Sequence, residues 1–150
     1  MNRRKWIALR VCAGLFVVYS AWMIWLLFFR NRGIHGESPA FNLIPLRTIE
    51  QMLQLLHAEE TAWFALRNLV GNVVLFAPFG CFLPALWKRQ RRFGFFLVTV
   101  AAGVAAIELL QAAMAVGVCD IDDWLCNIFG ASLGFCVWNI VKRRLSDSTE

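Results

Sequence analysis

Four long apolar segments divide this chain, at residues 6–29, 68–87, 93–119 and 124–141, and each reaches the roughly 20 residues that a helix needs to cross a bilayer. Hydrophobic residues make up 59% of the 150, which leaves too little polar surface to coat a soluble globule. The fold class that follows is an all-α integral membrane protein. Four transmembrane helices form one bundle, a single membrane domain over residues 1–150 with no room for a second.

The first segment follows Arg3, Arg4 and Lys5, as in a signal peptide. Its apolar stretch from Val11 to Phe29 exceeds a typical signal core, and Phe29-Arg30-Asn31 offers no small-residue cleavage site. It reads as an uncleaved anchor. The net charge of +5 comes from residues that sort by connection. Arg3, Arg4, Lys5 and Arg10, then Lys88, Arg89, Arg91 and Arg92, then Lys142, Arg143 and Arg144 all fall on one side of the four spans. The other side carries Arg30, Arg32, Arg47 and Arg67 among seven carboxylates. The positive-inside rule therefore puts both termini in the cytoplasm, and charge sorted in this way speaks against nucleic acid as a partner.

The long outer connection, from Arg30 to Arg67, has internal order. Gly33, Gly36 and Pro39 read as loop. Thr48 with Gln51 three residues later has the form of a capping box, and Ile49, Met52, Leu53 and Leu56 follow at helical spacing. These residues predict an amphipathic helix that is interfacial, re-entrant, or packed on the bundle as a lid. Pro78 and Pro84 predict a kink or break in the second span. Gly130 and Gly134 in the fourth span permit close helix approach, within the bundle or in a homodimer. Cys12, Cys81, Cys119, Cys126 and Cys136 lack framework spacing and read as packing residues, with Cys119 and Cys126 the one pair placed for a disulfide. With His35 and His57 remote from them, no metal and no cofactor is expected.

One residue does not fit a purely lipid-facing chain. Glu108 lies in the middle of the third apolar run, and a carboxylate in hydrocarbon costs several kcal/mol unless it faces protein or water. Placed on the topology, the other polar span residues gather around it. Asn68 and Asn72, Glu108 and Gln111, and Asp123 and Asn127 are pairs three or four apart, each on one helix face. Their depths agree near the outer ends of the second, third and fourth spans, with Asp120 and Asp123 in the turn above. An outward-open polar pocket results, with Asn68, Asn72, Glu108, Gln111, Asp120, Asp123 and Asn127 as candidate ligand-binding residues. Asp123 is also placed to cap the fourth helix.

These residues carry a resemblance. Asn42-Leu-Ile-Pro45, Asn68 with Asn72-Val-Val-Leu-Phe-Ala-Pro78-Phe-Gly80, Glu108-Leu-Leu-Gln111, and Asp120-Ile-Asp-Asp123 followed by Asn127-Ile-Phe-Gly130 and Gly134 are similar to the VanZ-like family over about residues 41–141. The resemblance implies a small helical protein of the bacterial cytoplasmic membrane, associated with low-level resistance to the glycopeptide teicoplanin. One departure is Gly117, where the family often has an arginine three residues before the first aspartate of the acidic turn. Arg47 and Arg67 are the cations left to stand in for it.

Three functions compete on this reading. The favoured one is a non-enzymatic protein that binds an envelope lipid or lipid-tailed small molecule at the outer leaflet. The alternatives are a membrane enzyme on a lipid-linked substrate, with the carboxylates as acid, base or magnesium ligands, and a small proton-coupled transporter using Glu108. No nucleophile with a neighbouring base is apparent, which disfavours the enzyme.

Overall fold

Apolar sequence with few internal breakers becomes helix almost throughout the computed structural model, which describes residues 3–30, 40–56 and 59–147. The loop reading of Gly33, Gly36 and Pro39 lies outside the described residues, as do His35 and His57. In chain order the elements are α1 (Arg3–Trp25), closed by a π-helical turn (Leu26–Arg30), β1 (Ala40–Asn42), α2 (Arg47–Leu55), α3 (Glu59–Leu86), a 3-10 turn (Lys88–Arg91), α4 (Phe93–Ala113), β2 (Val118–Asp120) and α5 (Ile121–Asp147). Among the described residues four helices are long and apolar enough to cross a membrane: α1, α3, α4 and α5. The chain is an all-α integral membrane protein, with the short helix α2 at one end of the bundle.

Interior packing is concentrated where three spans meet. Phe76 of α3, Phe96, Val100 and Val104 of α4, and Ala131 and Phe135 of α5 are buried together, with Met23 of α1 joining them. The Phe96 and Phe135 rings lie 4.7 Å apart, a distance at which offset aromatic pairs add to area burial. The outward faces remain apolar and exposed, as at Val17, Val98 and Ile140, which is the surface lipid tails cover. Helix α1 joins through aromatics: Phe16 packs edge-on against Phe79, Phe82 and Trp87.

Several expectations change in detail. The prolines do not break the second span, for α3 runs continuously from Glu59 to Leu86 with Pro78 and Pro84 inside it. Neighbours meet the backbone near these sites: the Tyr19 hydroxyl donates to the Leu75 carbonyl at 2.7 Å, and Arg91 Nε donates to the Pro84 carbonyl at 3.0 Å. Protein packing and side-chain donors are what let membrane helices carry proline. The third apolar run stops being helix at Ala113, because Ala115 turns left-handed at φ 52 and the chain enters β2. Strands were not expected at all. β1 and β2 pair in parallel, Asn42 opposite Asp120, and pin the Asn42-Leu43-Ile44-Pro45 segment to the acidic turn. Gly130 and Gly134 face α3 of the same chain, where added methyls would run into the Val73 and Ala77 carbonyls. All five thiols are free, and burial pushes the Cys119 thiol upward from its usual range.

At the end of the bundle holding the 3-10 turn, the basic residues meet aromatics. Arg91 and Lys142 both lie over the Trp138 ring, at 5.9 and 5.3 Å from its centroid. Aromatic rings among lysine and arginine are typical of a membrane–water interface. The seven candidate residues lie toward the opposite end.

Candidate functional site

At that opposite end the bundle opens into a cavity of about 930 Å³. All seven candidate residues line it: Asn68 and Asn72 from α3, Glu108 and Gln111 from α4, Asp120 from β2, and Asp123 and Asn127 from α5. Apolar walls come from Leu26 and Leu27 in the π-helical turn, Phe64 and Leu75 of α3, Ile107 of α4, and Val116 and Val118. A space of this volume with an apolar wall and a few converging polar groups has the anatomy of a ligand site.

The acidic turn builds the roof of the cavity, and its aspartates divide the work. Asp120 caps α5, because its Oδ1 accepts from the Asp122 N–H at 2.8 Å, the geometry by which an N-cap side chain satisfies an orphan donor. Its Oδ2 accepts from the Thr48 hydroxyl at 2.6 Å and from Asn42 Nδ2 at 3.1 Å. The expected cap at Asp123 is thereby corrected: α5 begins at Ile121, so Asp123 already sits inside the first turn. From there it faces the cavity and accepts from Asn72 Nδ2 at 2.6 Å.

Asp122 is the residue that sequence reasoning left off the site. It is 1% exposed, and it caps a different helix from its own. Oδ1 accepts from the Leu46 N–H at 2.6 Å; Oδ2 accepts from the N–H groups of Thr48 and Ile49 at 2.7 and 3.1 Å. The capping box expected at Thr48 and Gln51 is therefore replaced. Leu46 occupies the N-cap in a left-handed conformation at φ 66, without a side-chain cap of its own, and the Thr48 hydroxyl goes to Asp120 instead. The signal was present as two aspartates two apart beside an unexplained Asn-Leu-Ile-Pro motif, but their pairing across more than seventy residues is a tertiary fact. Helix α2 is consequently a lid latched to the end of α5, with Ile49, Met52 and Leu55 turned partly inward and Leu53 exposed.

Glu108 lies beneath this roof, 5% exposed, accepting from the Asp120 N–H in a long contact of 3.4 Å. Gln111 bridges to α1, its Nε2 donating to the Leu27 carbonyl at 3.1 Å. Among the described residues Asn68 reaches only the Met52 sulfur, at 3.9 Å, a weak acceptor. Asn127 is 3% exposed, and its Oδ1 has no hydrogen-bond partner among the described residues. Of the two arginines considered as stand-ins at Gly117, Arg67 lines the cavity and Arg47 does not. Arg67 is exposed, its guanidinium 5.8 Å from the centre of the Phe64 ring. Gly117 itself lies on the wall, where an added Cβ would have Gln111 as its nearest neighbour at ordinary contact distance.

The VanZ/LLP1 family model matches residues 16–142. Protein VanZ of Enterococcus faecium is 27% identical over 137 residues, which is 89% of this chain and 76% of that protein. No solved structure matches.

Proposed function

The chain belongs to the VanZ/LLP1 family, and from that premise we propose that it binds an envelope lipid or lipid-tailed small molecule in the cavity, without catalysing a reaction, and so alters the response of a bacterium to teicoplanin-type glycopeptides. The observation that carries the reading is the convergence of seven polar residues from four elements, with Thr48 and Arg67 beside them, on one cavity of about 930 Å³ whose other side-chain walls are apolar. A headgroup meets the polar end and a tail meets Leu26, Leu27, Leu75 and Ile107. The enzyme alternative loses support from the same geometry. Asp122 turns toward the backbone of α2 and Asp120 spends its oxygens on caps and on Asn42 and Thr48, so the acidic turn does not present three free carboxylates to a magnesium ion.

Filling the cavity tests the reading. Gly71 lines it, and a Cβ added there meets nothing within 4 Å. Wild-type protein released gently from native membranes is expected to carry a copurifying lipid detectable by native mass spectrometry. Gly71→Trp should lose it while reaching the same membrane abundance, and teicoplanin susceptibility of the host should move with it. Wild-type protein as lipid-free as an unrelated four-helix control would sink the proposal.

The cavity lies in the outer leaflet if the basic end is cytoplasmic, which the charge distribution supports. A reporter active only outside the cytoplasm should then work when inserted near Glu37 and fail when fused after Glu150. The reverse pattern would turn the cavity to face the cytoplasm.

A further inference from the structure

Hydrogen-bond supply and demand inside the cavity are unequal. Two of its amide donors are spent within the protein, Asn72 Nδ2 on Asp123 and Gln111 Nε2 on the Leu27 carbonyl. The Asp120 and Asp123 carboxylates are supplied from within the protein as well, whereas two acceptors, on Glu108 and Asn127, are not. Among the described residues Glu108 receives one hydrogen bond of 3.4 Å, shared with neither its second oxygen nor any side-chain donor. Asn127 Oδ1 receives none, although the residue is buried. Buried polar groups left in this state are costly, and native structures retain them where something else supplies the partner. Among the described residues three carboxylates, of Glu108, Asp120 and Asp123, line the same space against a single cation, Arg67, which is exposed over the Phe64 ring.

We infer that the cavity is built for a ligand whose head is a primary ammonium on an apolar tail, the ammonium seated between Glu108 and Asn127. An ammonium brings three donors and no acceptor, the complement of what this part of the wall lacks, and its charge opposes that of the carboxylates. A phosphate head would bring further acceptors and negative charge to a surface already rich in both. The inference rests on the cavity being a lipid site, as proposed above, and adds the chemistry of the head.

The test uses full-length protein in phosphatidylcholine nanodiscs, whose quaternary ammonium heads have no N–H to donate, with empty discs as the partition blank. Three radiolabelled probes share one tail: hexadecylamine, hexadecyl phosphate and hexadecyl glucoside. The amine should bind at least about tenfold more tightly than either other probe. Glu108→Gln should remove that preference, and so should Gly117→Arg, which sets a cation on the cavity wall at a position where a Cβ makes ordinary contact and the backbone is not left-handed. The second variant keeps the test sound if the first assembles poorly. Phosphate or glucoside binding as tightly as the amine, or an amine preference that survives both variants, would overturn the ammonium head and leave the lipid site standing. Absence of binding by all three probes would remove the lipid site itself.

Discussion

Asp122→Ala will destabilise the protein by about 3–5 kcal/mol, because it strips a buried carboxylate from three backbone N–H groups at once. Those groups, of Leu46, Thr48 and Ile49, form the N-terminus of α2, and nothing in their own segment caps them, since Leu46 offers no side-chain acceptor. Two favourable contributions disappear together: the charge-assisted hydrogen bonds, and the attraction between a carboxylate and the positive end of the helix. The Leu46 backbone also loses the bond that helps hold its left-handed conformation, which costs a non-glycine residue roughly 1–2 kcal/mol. Asp122→Asn should recover part of the loss, because one amide oxygen still accepts. Thermal unfolding in detergent reads the total cost. Limited proteolysis within α2 separates local release of the lid from global unfolding, and the expectation is that α2 becomes cleavable first. An alanine variant as stable and as protease-resistant as the wild type would show that α2 is held by its apolar face alone.

The contrast between Asp122 and the other site residues shows what the sequence could and could not disclose. Asn72, Glu108, Gln111 and Asn127 were legible because lipid is an intolerant solvent: a polar side chain in an apolar run must find protein or water. Helical periodicity then fixes which of them share a face. The four spans were legible for the same reason, although their ends were not. α3 begins at Glu59 rather than at residue 68, and α4 stops at Ala113 rather than at residue 119, because apolar composition measures hydrophobicity and not backbone geometry. The β1 and β2 pairing and the Asp122 latch depend on two segments far apart in the chain meeting in space. Neither segment has a local pattern that demands such a partner. Asp120, Asp122 and Asp123 are chemically the same residue within four positions, and only the orientation of the first turn of α5 makes one a cap, one a latch and one a cavity wall.

Small residues were legible as packing signals but not as to their partner, and the structure turns that into the second large prediction. Gly80, Gly130 and Gly134 lie where α3 and α5 approach most closely: a methyl on Gly80 would enter the backbone from Ala131 to Phe135, one on Gly130 would meet the Val73 carbonyl, and one on Gly134 the Ala77 carbonyl. Backbone cannot rotate aside as a side chain can, so the helices must separate. That separation would unpack Phe76 from Ala131 and Phe135 and draw Asn72 away from Asp123. Overpacking of a tight core costs typically 1–3 kcal/mol and occasionally more. At a backbone-to-backbone contact the upper end applies, about 3 kcal/mol for Gly130→Ala and more for Gly134→Leu. Gly103→Ala is the control, on α4 with nothing within 4 Å of the new methyl; it should be neutral or slightly stabilising, since alanine is the better helix former by about 1 kcal/mol. Membrane yield and melting temperature of the three variants decide the matter. Equal tolerance of Gly130→Ala and Gly103→Ala would mean that α3 and α5 are farther apart than this packing requires. A selective loss at Gly130, with monodisperse monomer in the wild type, would assign the stripe to the fold of one chain and remove it as the contact surface of a dimer.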